Sequence, residues 1–331
     1  MMGNGNVCTV LLNWNGCSDT LECLNSLVAG SSVPQSIVVV DNDSSDDSVE
    51  KLSAWGISHY KKIVLLASEE LRREEQGDSP FVLIRNSENS GYAAGNNLAL
   101  SWALAQDSFD YIWLLNNDTV VATDCLARLL DCAEQSSAAI LGATVVYVDN
   151  PTVVQCAGGC RYNPVTTVFK PSLAGDPLHE VLQDAKEPRL DYIYGASMFV
   201  KTELFDSCGL LNEDYFLFYE ELDFCKQAQR HGYDLRWCRE AVVAHKVSRS
   251  VGRAGSGDCR QQVFANYHEN LSTLIFTRKF YGILLPFVML CRLLAKLAIY
   301  RKRRDWAVLR AVRDAYRDFI SGANLRGGYG Q

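Results

Sequence analysis

The sequence predicts an α/β fold: a mostly parallel sheet covered by helices on both faces, followed by a helical C-terminal appendage. Three observations predict it. Short apolar runs rich in β-branched residues alternate with helical patterns through the first half of the chain. Those runs stop abruptly in Asn, Asp and Gly, as strands do when they aim polar groups into a cleft at the carboxyl edge of an open sheet. From Asn266 onward the pattern is helical to the end. The 331 residues accommodate one large α/β domain plus that appendage, and 48% hydrophobic residues supply a sizeable core.

The elements follow in order. Residues 7–12 form an apolar strand that breaks at Asn13-Trp14-Asn15-Gly16. Ser18 is placed to cap a helix whose Leu21, Leu24, Leu27 and Val28 share one face. Residues 36–40, β-branched from Ile37 to Val40, predict a second strand ending in Asp41-Asn42-Asp43. Residues 48–55 read as a short helix, the charged stretch 69–78 as a solvated helix or an insertion, and 81–84 as a strand. A Gly/Asn loop over 89–97 leads into a helix over 98–105. The strand 111–115 then ends in Asn116-Asn117-Asp118-Thr119. A helix from 124 to about 134 and a strand over 139–147 come next. Five prolines, at 151, 164, 171, 177 and 188, predict an irregular stretch over 150–190. Beyond it lie a strand over 192–200, a helix over 221–231 closed by Gly232, and short strands at 235–237 and 241–243. No internal repeat or low-complexity segment interrupts this order.

Charge narrows the class of partner. A net charge of −7 argues against nucleic acid. The twelve cysteines form no C-x-x-C pair, and Cys156 and Cys160 lack matching partners, so metal-finger and redox readings are weak. Free cysteines in core positions suit a reducing cytosol. The N-terminus shows no basic stretch followed by an apolar one, hence no expected signal peptide.

Two groups of residues carry chemistry. The first is the set of strand-end clusters, Asn13-Trp14-Asn15, Asp41-Asn42-Asp43, Asn89-Ser90-Gly91-Tyr92 and Asn116-Asn117-Asp118, which a parallel sheet brings to one edge. Each alone is an ordinary turn. Together they suit a nucleotide, with Asp41 accepting from base or ribose and Gly91 and Gly95 admitting close approach of a phosphate or sugar. Asp118 beside amide oxygens is a hard donor set for Mg²⁺ or Mn²⁺. The stretch 41–52 fails as a calcium loop, since its sixth and twelfth positions are Asp46 and Leu52. The Gly91 loop matches neither the dinucleotide nor the P-loop pattern. The second group is Phe216-Leu217-Phe218-Tyr219-Glu220-Glu221-Leu222-Asp223. Acids in a first helical turn are favoured by the dipole, and aromatics beside them would desolvate a carboxyl and raise its pKa, as a general base requires. His245 follows an apolar strand and takes its interest from this company.

In order and spacing these motifs resemble glycosyltransferase family 2, in particular its rhamnosyltransferase-like branch. The residues are Val39-Val40-Asp41-Asn42-Asp43-Ser44, Asn89-Ser90-Gly91-Tyr92-Ala93-Ala94-Gly95-Asn96-Asn97, Asn116-Asn117-Asp118, Gly195-Ala196-Ser197-Met198, Tyr219-Glu220-Glu221-Leu222-Asp223 and His245. The resemblance runs from about residue 7 to 250 and is specific for the superfamily, not for the sugar. It implies a GT-A fold over 1–255, with a nucleotide-sugar half to about 125 and an acceptor half beyond it, and a separate helical segment over 256–331. It implies a metal-dependent inverting transfer, using Mg²⁺ or Mn²⁺, from a dTDP- or UDP-sugar, with rhamnose among the candidate sugars, to a glycan or lipid-linked acceptor in cell-surface polysaccharide synthesis. Asn13, Asn15, Asp41, Asn42, Asn89, Gly91, Tyr92, Asn96 and Asn117 would bind the donor. Asp118 and His245 would hold the metal. The base maps to Glu221, and because the family more often has Asp there, Glu220 and Asp223 remain open. A sugar-nucleotide pyrophosphorylase would need a basic Gly-rich loop near the first strand, where residues 13–16 offer none. A degenerate binding protein would not need the acids.

The C-terminal segment adds a further expectation. Between Arg278 and Arg317 eleven basic residues face Asp305 and Asp314 alone. Residues 280–300 are apolar except for Arg292 and Lys296, and Arg301-Lys302-Arg303-Arg304 follows. The sequence predicts a helix lying in a membrane interface on the cytoplasmic face, with Arg292 and Lys296 snorkelling outward. The alternative is a helix pair packed on the domain with its basic face in water.

Overall fold

A computed structural model describes residues 5–29, 33–61, 63–68, 79–246 and 259–322. The charged stretch 69–78 lies outside them.

The first half alternates as expected. Strand β1 (Val7–Asn13), helix α1 (Cys17–Val28), β2 (Gln35–Asp41), α2 (Ser48–His59), β3 (Val64–Ala67), β4 (Phe81–Arg85), α3 (Gly91–Ala105) and β5 (Tyr111–Asn116) succeed one another. Strands β3, β4, β2, β1 and β5 lie side by side in that order and all run parallel. Their near-continuous Val/Ile/Leu character is that of strands buried on both faces. In register, Asn13 stands opposite Asp41 and Leu12 opposite Asn116, so the polar strand ends do meet at one edge. Two details differ. Helix α1 starts at Cys17, with Gly16 at the cap position and no side-chain cap bond, so Ser18 is not its cap. Helix α3 begins at Gly91, well before 98, and buries Gly95, Asn96 and Asn97 within it.

The second half adds β6 (Thr119–Val121), α4 (Cys125–Glu134), β7 (Ile140–Tyr147), β8 (Asn150–Ala157), β9 (Gly159–Asn163), β10 (Val168–Pro171), α5 (Leu178–Asp184), β11 (Tyr192–Ile193), β12 (Ser197–Lys201), α6 (Glu203–Cys208), α7 (Glu220–Arg230) and β13 (Leu235–His245). Strands β12, β7, β13 and β6 extend the sheet beyond β5, with antiparallel pairs now interleaved. The expected irregular stretch 150–190 is instead β8, β9, β10 and α5. Its prolines sit where they cost no ladder bond: Pro151 near the exposed start of β8, Pro171 ending β10, and Pro177 preceding α5. The single strand expected over 192–200 is split by a turn at Gly195-Ala196, and the two expected over 235–243 are one strand with a bulge between Cys238 and Val242.

Three helices complete the chain: α8 (Cys259–Tyr281), α9 (Leu285–Lys302) and α10 (Trp306–Ser321). Tyr267, Leu271 and Leu274 of α8 pack with Val308, Val312 and Ala315 of α10 in a core of their own. Helix α8 is also strapped to the segment before α7. Ser272 donates to the Leu217 carbonyl (2.8 Å), Thr273 to the Tyr219 hydroxyl (3.0 Å), and Lys279 Nζ reaches Asp223 Oδ2 at 2.7 Å. Asp223 is fully buried and also accepts from Tyr215 (2.8 Å) and Gln227 (2.8 Å). It is a tie between helices. Replacing Asp223 with Ala strands a buried tyrosine hydroxyl and a lysine, and should cost about 2–3 kcal/mol in urea unfolding. A loss below about 0.5 kcal/mol, the usual range of a neutral surface change, would contradict this role.

Candidate active site

The carboxyl edge of the sheet opens into a cleft of about 400 Å³. Among its walls are Trp14, Asn42, Asn89, Gly91, Tyr92, Asn116, Asn117 and Asp118 on one side. Tyr194, Gly195, Phe216, Glu220, Glu221, His245 and Phe264 also face it.

Strand pairing builds the first pole. After β5 the chain turns through Asn117-Asp118 into β6, which pairs antiparallel with the end of β13, so that His245 stands opposite Thr119. The Lys246 amide closes the junction by donating to the Asp118 carbonyl (3.0 Å). His245 Nε2 thereby lies 3.2 Å from Asp118 Oδ1, both side chains buried. His245 Nδ1 is 3.0 Å from Gln155 Oε1 on β8. With Nδ1 donating to that carbonyl, Nε2 presents its lone pair, and it makes no hydrogen bond despite burial. A nitrogen lone pair and a carboxylate oxygen at this spacing suit one hard divalent ion. Two ligands about 2.1 Å from a six-coordinate ion, at right angles, are about 3 Å apart. The described residues contain no third acidic, His or Cys ligand in the group, so other ligands would come from water or substrate.

The second pole is the start of α7. Phe218 and Tyr219 both take left-handed backbone (φ 69° and 76°), conformations that bulky residues adopt only when surroundings enforce them. The enforcement is visible in the α8 straps and in the Tyr92 amide, which donates to the Phe216 carbonyl at 2.7 Å. Gly91 has φ 86°, and a Cβ there would overlap that same carbonyl, so only glycine fits the junction. The kink delivers Glu220 and Glu221 into the cleft wall. Burial, then the neighbouring Glu221 charge, pushes the Glu220 carboxyl well above the usual range. Burial raises Glu221 to about 7. Burial therefore raises both acids, the direction expected from sequence. Glu220 Oε2 is buried without a hydrogen-bond partner, whereas Glu221 keeps partial exposure.

The expected site residues divide. Asn42, Asn89, Gly91, Tyr92, Asn117, Asp118, Glu220, Glu221 and His245 line the cleft. Asn13, Asn15, Asp41, Asn96 and Asp223 do not. Asn13 is wholly buried, donating to Asp41 Oδ2 (2.8 Å) and accepting from Thr20 (2.7 Å), which in turn accepts from Asn117 (2.9 Å). Asp41 Oδ1 holds the Ser44 amide, Asn15 binds Ser45, and Asn96 bonds back to the Tyr92 carbonyl. These residues brace the strand ends that carry the lining groups. Gly95 faces Leu12 and Asn42 rather than a ligand. Sequence reasoning also passed over several groups. Gln155 orients His245, and nothing in its sequence context marks it. Trp14 and Phe264 stand with ring centroids 6.4 Å apart at the mouth, and His268, held neutral by burial with a pKa near 3, stacks on Phe216. The glycine of Gly195-Ala196 has a geometric reason, since a Cβ there would collide with Glu221 Oε1.

Residues 8–155 match the sequence model of the glycosyl transferase family 2. The chain carries a glycosyl transferase family 2 domain. Low-salt glycan biosynthesis hexosyltransferase Agl10 of Haloferax volcanii is 23% identical to it over 216 residues. That match takes in 63% of this chain and 66% of the relative, so the chain spans just under two thirds of the relative's length. Among solved structures, the mannosyltransferase PcManGT from Pyrobaculum calidifontis, in complex with GDP-Man and Mn²⁺, superposes with a TM-score of 0.52 at 16% identity. It covers 97% of this chain and 88% of that one. GalNAc-T7 with UDP, GalNAc and Mn²⁺ gives 0.57 at 12% identity, over 96% of this chain and 57% of that one. These likenesses, together with the sheet order, establish the GT-A architecture. The family match ends in β8, so the α7 acids and His245 lie beyond it and rest on the geometry alone.

Gly195→Ala tests that geometry. The residue it meets is the flexible end of a side chain, so the variant should fold with an unchanged melting point while Glu221 is displaced. Catalysed turnover, once measurable, should fall by about 10-fold or more, as small misplacements do. Wild-type turnover in the variant would show that Glu221 does not need its present seat.

Proposed function

We propose that this protein is a metal-dependent inverting glycosyltransferase acting on a nucleotide-diphospho sugar. The observation that carries the reading is one cleft with two chemically distinct poles: the Asp118 and His245 pair at the β5–β6 and β13 ends, and the paired acids at the start of α7. A divalent ion held at the first pole would neutralise charge on a departing diphosphate. Asp118 would supply a hard anionic ligand and His245 an imidazole nitrogen oriented by Gln155. Trp14, Asn42, Asn89 and the Gly91 backbone line the donor side, with braced orientations that need little reordering on binding. Glu221 accepts the proton of an acceptor hydroxyl, which then attacks the anomeric carbon from the side opposite the leaving group. Its raised pKa places it near neutrality, where a base both exists deprotonated and takes a proton readily. Glu220, more deeply buried and itself raised by burial and by the Glu221 charge, stays protonated beside that carboxylate.

The relative Agl10 is a hexosyltransferase of glycan biosynthesis, which supports a hexose-type donor and a role in glycan assembly. dTDP-rhamnose, UDP-hexoses and GDP-mannose form the panel to test. A pyrophosphorylase reading finds no support, because the described cleft wall holds no lysine or arginine for a triphosphate.

Glu221→Gln should leave donor binding intact and lower transfer by about 10²-fold or more. Glu220→Gln should do less, and the reverse ranking would assign the base to Glu220. In the wild type, kcat/KM should climb as pH rises through about 7, because a carboxyl raised by burial is protonated and inactive below that point. The limb should vanish in Glu221→Gln. A flat profile from pH 5 to 8 in the wild type would contradict the assignment.

A further inference from the structure

Helix α9 is turned inside out. Its two mid-helix charges face the protein: Arg292 donates to Glu269 Oε1 (2.9 Å) and Thr167 (2.7 Å), and Lys296 to Glu269 Oε2 (2.9 Å) and Asn266 (2.8 Å). Both basic side chains are largely shielded. The expectation that they snorkel outward is therefore overturned, and so is the alternative of a solvated basic face. What residues 282–300 show to solvent carries no charge. Ile283, Phe287, Leu290, Leu294 and Leu297 are spaced three and four apart and stand between 40% and 98% exposed. Exposed residues from 282 to 300 include no charged side chain. A row of this kind on a monomer's surface marks something that covers it.

We infer that this face docks on an anionic lipid bilayer, lying along it without crossing. Charge selects the occupant. Arg301, Lys302, Arg303 and Arg304 continue directly from the apolar row and are all exposed, as is Trp306 just beyond. Asp305 beside them is occupied in capping α10, accepting from the Val308 amide (3.1 Å). The remainder of the chain is acidic, so an anionic surface would repel the body and attract this end alone. An apolar row with a basic cluster supplies the two signals that stable peripheral attachment requires, and an aromatic at the edge suits the headgroup layer. Crossing is disfavoured by pairing. Length and apolar composition alone would allow a span, but Arg292 and Lys296 are committed to Glu269 on α8. Because α8 also holds Asp223 and Tyr219, the docked face sits at a fixed attitude to the α7 acids. The inference does not depend on which reaction the cleft performs.

The test is flotation of the full-length protein with vesicles of phosphatidylcholine alone or mixed with phosphatidylglycerol. It should be run at about 0.01 M and 1 M ionic strength, where the screening length falls from about 30 Å to about 3 Å. The protein should float with anionic vesicles at low salt and poorly with neutral ones or at high salt. Reversing Arg301, Lys302, Arg303 and Arg304 to Glu should weaken binding by about 100-fold or more, each basic residue being worth roughly fivefold. Leu290→Asp with Leu294→Asp should abolish it. Both sets alter exposed side chains, and unchanged melting points would confirm folding. Equal recovery in the soluble fraction with and without anionic lipid would overturn the inference. So would a solution dimer that Leu290→Asp with Leu294→Asp splits, because a second copy would then be what covers the face.

Discussion

The short antiparallel pairing of β6 with the end of β13 is the contact on which the site depends. It joins two segments far apart in sequence and sets His245 opposite Thr119, one residue from Asp118. Without it neither residue has a partner of the right kind: a lone carboxylate at a strand end is a turn residue, and a lone histidine after a strand is a core residue. With it, a carboxylate oxygen and an imidazole nitrogen come within 3.2 Å in a buried setting, and Gln155 fixes which nitrogen is offered. Burying such a pair is costly unless something completes it. A divalent ion held there, as proposed above, would give the arrangement a use.

The opposite wall is held by a different kind of force. Two consecutive left-handed residues before α7 store strain that three elements contain: α3 through the Tyr92 amide, α8 through Ser272 and Thr273, and the sheet edge through the missing Cβ of Gly195. Helix α8 is thus part of what holds the cleft wall. The same α8 that steadies Tyr219 offers Glu269 to Arg292 and Lys296, and by turning those charges inward it leaves the apolar side of α9 facing out.

Much of this was legible beforehand, for local reasons. The β-branched runs at 36–40 and 111–115 have few conformations available other than buried strands, and their Asn and Asp endings mark the cleft edge. The acids at 220–223 read as a helix start with desolvating neighbours, and both carboxyls are indeed raised. The failures share a cause, which is that tertiary partners are invisible in a linear pattern. Asp223 resembles its neighbours in sequence but turns the other way, to Lys279 and Tyr215. Asn13 and Asp41 look like ligand groups and spend their hydrogen bonds on each other. Prolines in 150–190 suggested irregular chain, whereas edge strands tolerate them. Arg292 and Lys296 were expected outside because the acid that holds them, Glu269, sits on another helix.

The measurement closest to the central claim is calorimetric titration of nucleoside diphosphates, UDP, dTDP and GDP in turn, into the metal-free and Mn²⁺-loaded protein, alongside Asp118→Ala and Gln155→Leu. The account predicts that one of them binds tightly only with the metal present. It also predicts that Asp118→Ala loses the metal-dependent part entirely and that Gln155→Leu weakens it by about 10–100-fold, the usual effect of removing a residue that orients a metal-binding histidine. Tight binding that is indifferent to metal, or that survives Asp118→Ala unchanged, would contradict it.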